Sequence, residues 1–348
     1  MNGEIAAILA MDGIASGAIY VLIGLGFVLI FAVTRVIFVP FGDIAAFTAL
    51  TLASLETGGR PGTVGLVAVL ALLAALAETV SLARARAWRR LPRALLFYLV
   101  LPLVPAAAVW LMAGTTLSMP LRILLSLSLV LPIAPLLDRI VFRPIADASV
   151  LLLLTVAVAL HFALRGLGLL FFGPEGVRTR PLSEAMFEVA GLTVGAQTVL
   201  VVAAAIVFCA LLFLYFEFTL SGKALRATAV NRTGARLVGI RPASTGTIAY
   251  VLASLLAGIS GVLIAPVTTI FYDSGFIIGL KAFVGAIIGA MTSYPVTALG
   301  ALLVGLLESF ASFWLSAYKE VVVFGLLIPV LLWRSLSLAA SDDEEAEE

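Results

Sequence analysis

Long apolar runs decide what this chain can become. Stretches such as VLVVAAAIVFCALLFLYF (199–216) and TIAYVLASLLAGISGVLIAP (247–266) succeed one another along most of the sequence. An uncharged apolar run of about 18 residues or more reads as a membrane span. Of the 348 residues, 62% are hydrophobic and only 12% charged, whereas a soluble domain carries about a quarter charged residues. A soluble enzyme is therefore excluded. One His and one Cys leave no usual ligand set for zinc, haem or an iron–sulfur cluster, and the lone Cys209 permits no disulfide framework. The expected fold is an all-α polytopic integral membrane protein of about 10–11 transmembrane helices.

The runs place spans at 14–33, 36–56, 63–83, 94–113, 120–137, 150–172, 197–217, 244–264, 275–291, 296–315 and 320–335. The leader MNGEIAAILAMDG has no Lys or Arg, and the run after it is too long for a signal sequence, so the first span reads as retained. Pro40 removes a backbone donor, so span 36–56 is a candidate for a broken helix. The short 275–291 segment could be re-entrant. Basic residues collect in RARAWRRLPR (84–93), DRIVFRP (138–144) and 222–246, all on one side in this count together with Arg35 and Arg334. Fourteen of the 21 Lys and Arg lie there. Lys/Arg excess marks the cytoplasm, which puts the N-terminus outside and the C-terminus inside. The acidic end, SDDEEAEE within 339–348, reads as a solvated cytoplasmic tail after a membrane domain spanning 1–338.

The segment GKALRATAVNRTGARLVGIRPASTG (222–246) carries Lys223, Arg226, Arg232, Arg236 and Arg241 and no acid. Charge alone fits a loop that only sets orientation. Yet KALRATAV is rich in helix formers, a second helical piece ends at Gly239, and Arg241-Pro242 stops it before the next span. Leu225, Leu237, Val238 and Ile240 add an apolar component. A short amphipathic helix of this kind suits docking into a groove on another protein.

Charges at membrane depth cost about 2.5–3.5 kcal/mol each on insertion scales, so each needs a partner or a cavity. Lys281 and Glu308 lie at similar distances from a turn near Tyr294. At about 1.5 Å per residue they share a depth, and an ion pair between them is expected, either pinning the hairpin or lining a path. His161 and Arg165 share a helix face, where packing or a snorkelling Arg competes with a proton relay. Asp43 follows Pro40 and Gly42, where a broken helix would expose backbone, and is a candidate for the pathway. Glu78 is expected near the inner boundary. The glycines at 258/261, 275/279 and 285/289 allow close helix approach. A narrow, mostly apolar path is expected.

Several stretches resemble one family, the ABC-importer permeases of branched-chain amino-acid transport. GKALRA (222–227) and ARLVGI (235–240) resemble that family's cytoplasmic coupling loop. SGAIYVLIGLGFVLIFAVTRVI (16–37) resembles its first span, DRIVFRPI (138–145) its Glu-Arg-x-x-Tyr-Arg-Pro loop, and GLKAFVGAIIGAMTSYPV onward (279–332) its C-terminal core. There are departures. FVPFG (38–42) stands where the family has Asn-Phe-Ala-His-Gly, GAMTSYPV (289–296) replaces a Gly-rich segment, and WRSLS (333–337) replaces Pro-x-Gly-Leu. Spans 63–83 and 94–113 are longer than the corresponding region, which implies an inserted helical hairpin in the region 84–145.

The resemblance implies an ABC-importer permease fold in a bacterial inner membrane, with 218–243 as the coupling loop. The ATPase contact would use Arg226, Asn231, Ala235, Leu237, Gly239 and Ile240. The outer loop 173–195, through Arg178, Arg180 and Glu184, would meet an extracytoplasmic solute-binding protein. The implied partners are two ATP-binding-cassette ATPase subunits and a second permease, identical or different; nucleic acid is not among them. No Gly-x-x-x-x-Gly-Lys-Ser/Thr occurs, so ATP would be bound by partner subunits and the chain itself is expected to carry no cofactor, no metal and no catalytic residue. The solute would be a small one: branched-chain amino acids lead by the resemblance, and other amino acids, urea or short amides, and small carboxylates travel through related permeases. The alternative is a self-sufficient secondary transporter or channel. Such proteins show internal repeats and a polar midplane site, and no convincing repeat is seen. A membrane-embedded enzyme would need a nucleophile–base or metal constellation, which the residue inventory lacks.

Overall fold

The structure is a computed structural model and describes residues 3–115, 117–189 and 192–332. The expectations for WRSLS, Arg334 and the acidic tail fall outside those residues. Helices follow the apolar runs: α1 (Gly3–Thr34), α2 (Phe41–Glu56), α3 (Thr63–Arg84), α4 (Trp88–Met112), α5 (Met119–Ile145) and α6 (Val150–Phe172). A two-stranded antiparallel hairpin, β1 (Met186–Val189) and β2 (Leu192–Gly195), leads into α7 (Ala196–Phe218). Two short helices follow, α8 (Leu220–Val230) and α9 (Arg232–Leu237), and then α10 (Pro242–Ile264), α11 (Ser274–Ile288), α12 (Tyr294–Trp314) and α13 (Lys319–Gly325). Among the described residues, 8 helices are long and apolar enough to cross a membrane. The fold is that of an all-α polytopic membrane protein.

The structure corrects several boundaries. α1 begins at Gly3 rather than near residue 14, so Asp12 lies inside the helix. The span expected at 36–56 is helical only from Phe41. Residues 35–40 run without helix into the bundle, where Phe38 is fully buried and meets Tyr250 edge-on, with ring centroids 5.4 Å apart. Arg35, at φ 63°, ends α1, and Pro40 opens α2 because it has no N–H to leave unbonded. DRIVFRP is not a loop. It continues α5 as a π turn, with Asp138 and Arg139 buried.

α1 is the hub and packs on α7, α10, α11 and α12. α1 and α12 approach closely through glycine: a Cβ on Gly305 would stand 2.3 Å from Gly17 N. Small residues serve this way in bilayers, where burial from water does not drive helices together. α4 and α6, by contrast, show apolar side chains such as Leu101, Leu111, Leu151 and Leu170 on the outside of the bundle. These faces suit lipid rather than water.

One end of the bundle collects the basic segments. Thr34 neighbours Gly246, and Arg143 donates to Thr247 (2.6 Å) and to Tyr98 Oη (3.0 Å). The other end holds the turn after α2, the β hairpin and residues 265–273. There Arg178 Nε donates to the Pro266 carbonyl (2.9 Å), and Val177 bridges Ile270. α11 is a shorter apolar helix, and Tyr294, which follows it, meets Phe216 at the end of α7 with ring centroids 5.4 Å apart.

Candidate functional site

The basic end presents α8 and α9. Thr219 caps α8 by accepting from Gly222 N (2.9 Å), and Asn231 caps α9 by accepting from Gly234 N (2.8 Å). Each cap satisfies one of the unpaired N–H groups at a helix start. Gly239, at φ 87°, ends α9 in the left-handed conformation that glycine adopts without penalty. Of the residues expected to face an ATPase, Leu237 is 84% exposed, and Arg226, Asn231 and Gly239 are also exposed. Arg226 is held by Glu217 at 2.7 Å. Ile240 is half-buried. Ala235 is the correction: it is 3% exposed, so it faces the bundle and cannot offer a contact surface. Val230 and Val238, both exposed, complete an apolar patch among arginines.

Within the bundle Lys281 Nζ lies 2.6 Å from Glu308 Oε1, the partner expected from the hairpin geometry. The sequence reading missed two further members. Glu320, at the start of α13, lies 3.1 Å from the same ammonium, and Tyr20 Oη donates to Glu308 Oε2 (2.6 Å). The remaining Glu320 oxygen, Oε2, is buried without a hydrogen-bond partner. A cavity of about 230 Å³ adjoins the cluster, lined by Ser16, Ile19, Thr268, Ile277, Lys281 and Glu308 among others. A second, of about 400 Å³, meets Glu308 from the side of Asp12, Ser309 and Ser312. Asp12, Ser16 and Tyr20 recur every fourth residue and so share one face of α1. Polar side chains thus stand among the walls of both cavities beside Glu308.

Asp43 stands apart from this lane. His161 Nδ1 is hydrogen-bonded to its Oδ2 (2.7 Å), both side chains are buried, and the Phe276 ring stacks on the imidazole at 4.6 Å. Gly42 and Gly275 make this possible, since a Cβ on Gly42 would meet the Gly275 carbonyl at 2.0 Å. Arg165, one turn beyond His161, pairs instead with Asp273 (3.1 Å). Glu78 pairs with Arg139, and Arg143 with Asp138 (3.2 Å), so the two arginines of DRIVFRPI tie α3, α4, α5 and α10 together.

At the end opposite the basic one, a cavity of about 670 Å³ is bordered by Arg60, Arg178, Arg180 and Glu56. Arg180 is largely exposed, and its backbone N–H donates to Glu56 (3.2 Å). Glu184 is exposed. Among the described residues no group of His, Cys, Asp and Glu is arranged to hold a metal.

The chain matches the family described as branched-chain amino acid transport system / permease component over residues 9–331. It belongs to that family. It is 30% identical over 202 residues to the high-affinity branched-chain amino acid transport system permease protein LivH of Escherichia coli K12, covering 56% of this chain and 66% of that protein. It is 27% identical over 215 residues to BraD of Pseudomonas aeruginosa, a permease protein of the same description, covering 60% of this chain and 70% of BraD. A probable branched-chain amino acid transport permease protein LivH of Methanocaldococcus jannaschii is 26% identical over 208 residues, 56% of this chain and 63% of that protein. The chain thus spans just under two thirds of LivH's length. No solved structure matches it.

Proposed function

We propose that this chain is the permease subunit of an ATP-binding-cassette importer that moves a small amino acid, branched-chain amino acids first among them. The observation that carries this is the capped two-helix element α8–α9. It holds an exposed apolar patch, Val230, Leu237 and Val238, among arginines at the basic end of the bundle. A loop that only set orientation would not need two caps and a left-handed terminator. Two ATPase subunits would dock there through Arg226, Asn231, Leu237, Gly239 and Ile240. Their closure on ATP would rock the bundle between two states, which is coupling between distinct sites. ATP belongs to those subunits, and the chain holds no cofactor of its own. The basic end faces the cytoplasm of a bacterial inner membrane, with the N-terminus outside and the C-terminus inside. A solute-binding protein docks at the opposite end near Arg178, Arg180 and Glu184. A second permease, a copy of this chain or a relative, completes the pore.

Purification from native membranes in mild detergent tests this reading. ATPase subunits are expected in stoichiometric amounts. Gly239→Asp with Ile240→Asp should cut their recovery by about tenfold or more, since a buried unpaired charge at an interface centre is costly. A chain that purifies alone and moves solute without ATP is a secondary transporter or channel, and the reading fails.

A further inference from the structure

The charges at Lys281 are arranged as a receptor rather than as a pin. Lys281 is buried, yet it adjoins a cavity instead of close packing. A hairpin pin needs one cation and one anion. Here two carboxylates converge on one ammonium, at 2.6 and 3.1 Å. One carboxylate oxygen, Glu320 Oε2, is left buried and unpartnered, a condition that native structures seldom leave unanswered. Lys319 also borders the cavity, so both signs of charge stand at one small space. Its remaining walls are of two kinds. Ile19, Ile264, Ile277 and Ile278 are apolar, while Ser16 and Thr268 carry hydroxyls. The volume of about 230 Å³ is on the scale of one small solute.

We propose that this cavity is a transit site for a zwitterionic amino acid with an aliphatic side chain. The solute's carboxylate binds Lys281, its ammonium binds Glu308, and its side chain lies on the isoleucine wall. The resident Lys281–Glu308 pair is a placeholder. A zwitterion inserted between the two leaves every charge partnered, because it brings one charge of each sign. With Lys319 at the rim, two lysines balance two glutamates, so a zwitterion keeps that balance whereas a cation alone or an anion alone upsets it. The Asp12–Ser16–Tyr20 face of α1 and the second cavity at Glu308 lead toward the site from the end opposite the coupling helices. The proposal deepens the importer reading and rests on it for the direction of travel.

The test is protection from thiol labelling in membranes. Cys209, the chain's single cysteine, is replaced by Cys209→Ala, and Thr268→Cys places a reporter at the exposed rim of the cavity. A membrane-impermeant thiosulfonate then labels the reporter with and without L-leucine or L-alanine. Both amino acids should slow labelling. Leucinamide, which lacks the anion, and 4-methylpentanoate, which lacks the cation, should need about tenfold higher concentration, the loss of one charge-assisted contact. Lys281→Gln together with Glu308→Gln and Glu320→Gln should abolish the distinction among the ligands. The analogue comparison stands even if that triple variant fails to fold. Equal protection by all ligands, or none by either amino acid, overturns the proposal. ATPase co-purification is scored on the same membranes. No protection with the subunits present sinks the transit site alone, and protection with the subunits absent supports the site and sinks the importer reading.

Discussion

Asp43 and Lys281 are both buried charges, 1% and 5% exposed, yet they are housed in opposite ways. Asp43 has one partner, His161, which can be neutral. It is enclosed by the Gly275 backbone and by the Phe276 ring on the imidazole. Neither Asp43 nor His161 lines the cavities at Lys281 or at the opposite end. Lys281 sits among two carboxylates and a tyrosine-bound oxygen, with cavities on two sides of Glu308. A dry pair with a neutral option costs little to keep and fixes geometry. A buried cluster of three charges beside two cavities is expensive as structure and is better explained by something that enters it. The first ties the start of the broken helix α2 to α6, and the second is placed to meet solute.

The largest expected effect comes from breaking the Lys281 cluster on one side. Lys281→Gln strands Glu308 and Glu320 together, and loss of one member of a buried ion pair costs about 3–5 kcal/mol. The melting temperature of the detergent-solubilised complex should fall sharply, and adding Glu308→Gln and Glu320→Gln should recover most of the loss. Equal damage from the single and triple variants would mean that these charges are not coupled, and the contrast with Asp43 would lose its first half.

The two sites also differ in how far the sequence revealed them. Lys281 and Glu308 were readable as a pair because they sit on consecutive helices, where counting from the turn at Tyr294 fixes relative depth. Glu320 escaped because it opens α13, at the edge of a span, where a carboxylate looks like ordinary boundary charge. The Asp12–Ser16–Tyr20 face escaped for a related reason. The first span was started at residue 14, at the first unbroken apolar run, while α1 begins at Gly3. The break before α2 was signalled by Pro40 and its position followed from that. The Asp43–His161 contact links residues 118 positions apart, and no local periodicity reports on such a pairing. At the coupling helices, caps and Gly239 were legible as local chemistry. The burial of Ala235 was not, because the side of a short helix that faces the bundle is set by tertiary packing.

A smaller effect is expected at the dry site. His161→Leu removes the donor and leaves the Asp43 carboxyl buried without its partner, a loss of about 1–3 kcal/mol. Unlike Lys281→Gln it strands one carboxyl rather than two. The melting temperature should fall less than for Lys281→Gln. A fall as large or larger would show that the Asp43 pair carries charge the bundle depends on, and the division into a clamp and a receptor would have to be redrawn.

The smallest effect is expected from Asp43→Asn, and it separates the two roles most cleanly. The amide oxygen can still accept from His161 Nδ1–H in the same place, so the clamp survives as a neutral hydrogen bond with a loss of about 1 kcal/mol or less. If Asp43 only fixes the start of α2, amino-acid uptake into membrane vesicles should continue near the wild-type rate. Uptake depends on geometry here, and the geometry is kept. If Asp43 belongs to the translocation path through its charge, uptake should collapse while the melting temperature hardly moves. Near-wild-type uptake in Asp43→Asn, set beside lost uptake in the Lys281, Glu308 and Glu320 triple variant, would place the solute's route along α1 and α12 and leave α2 as its wall.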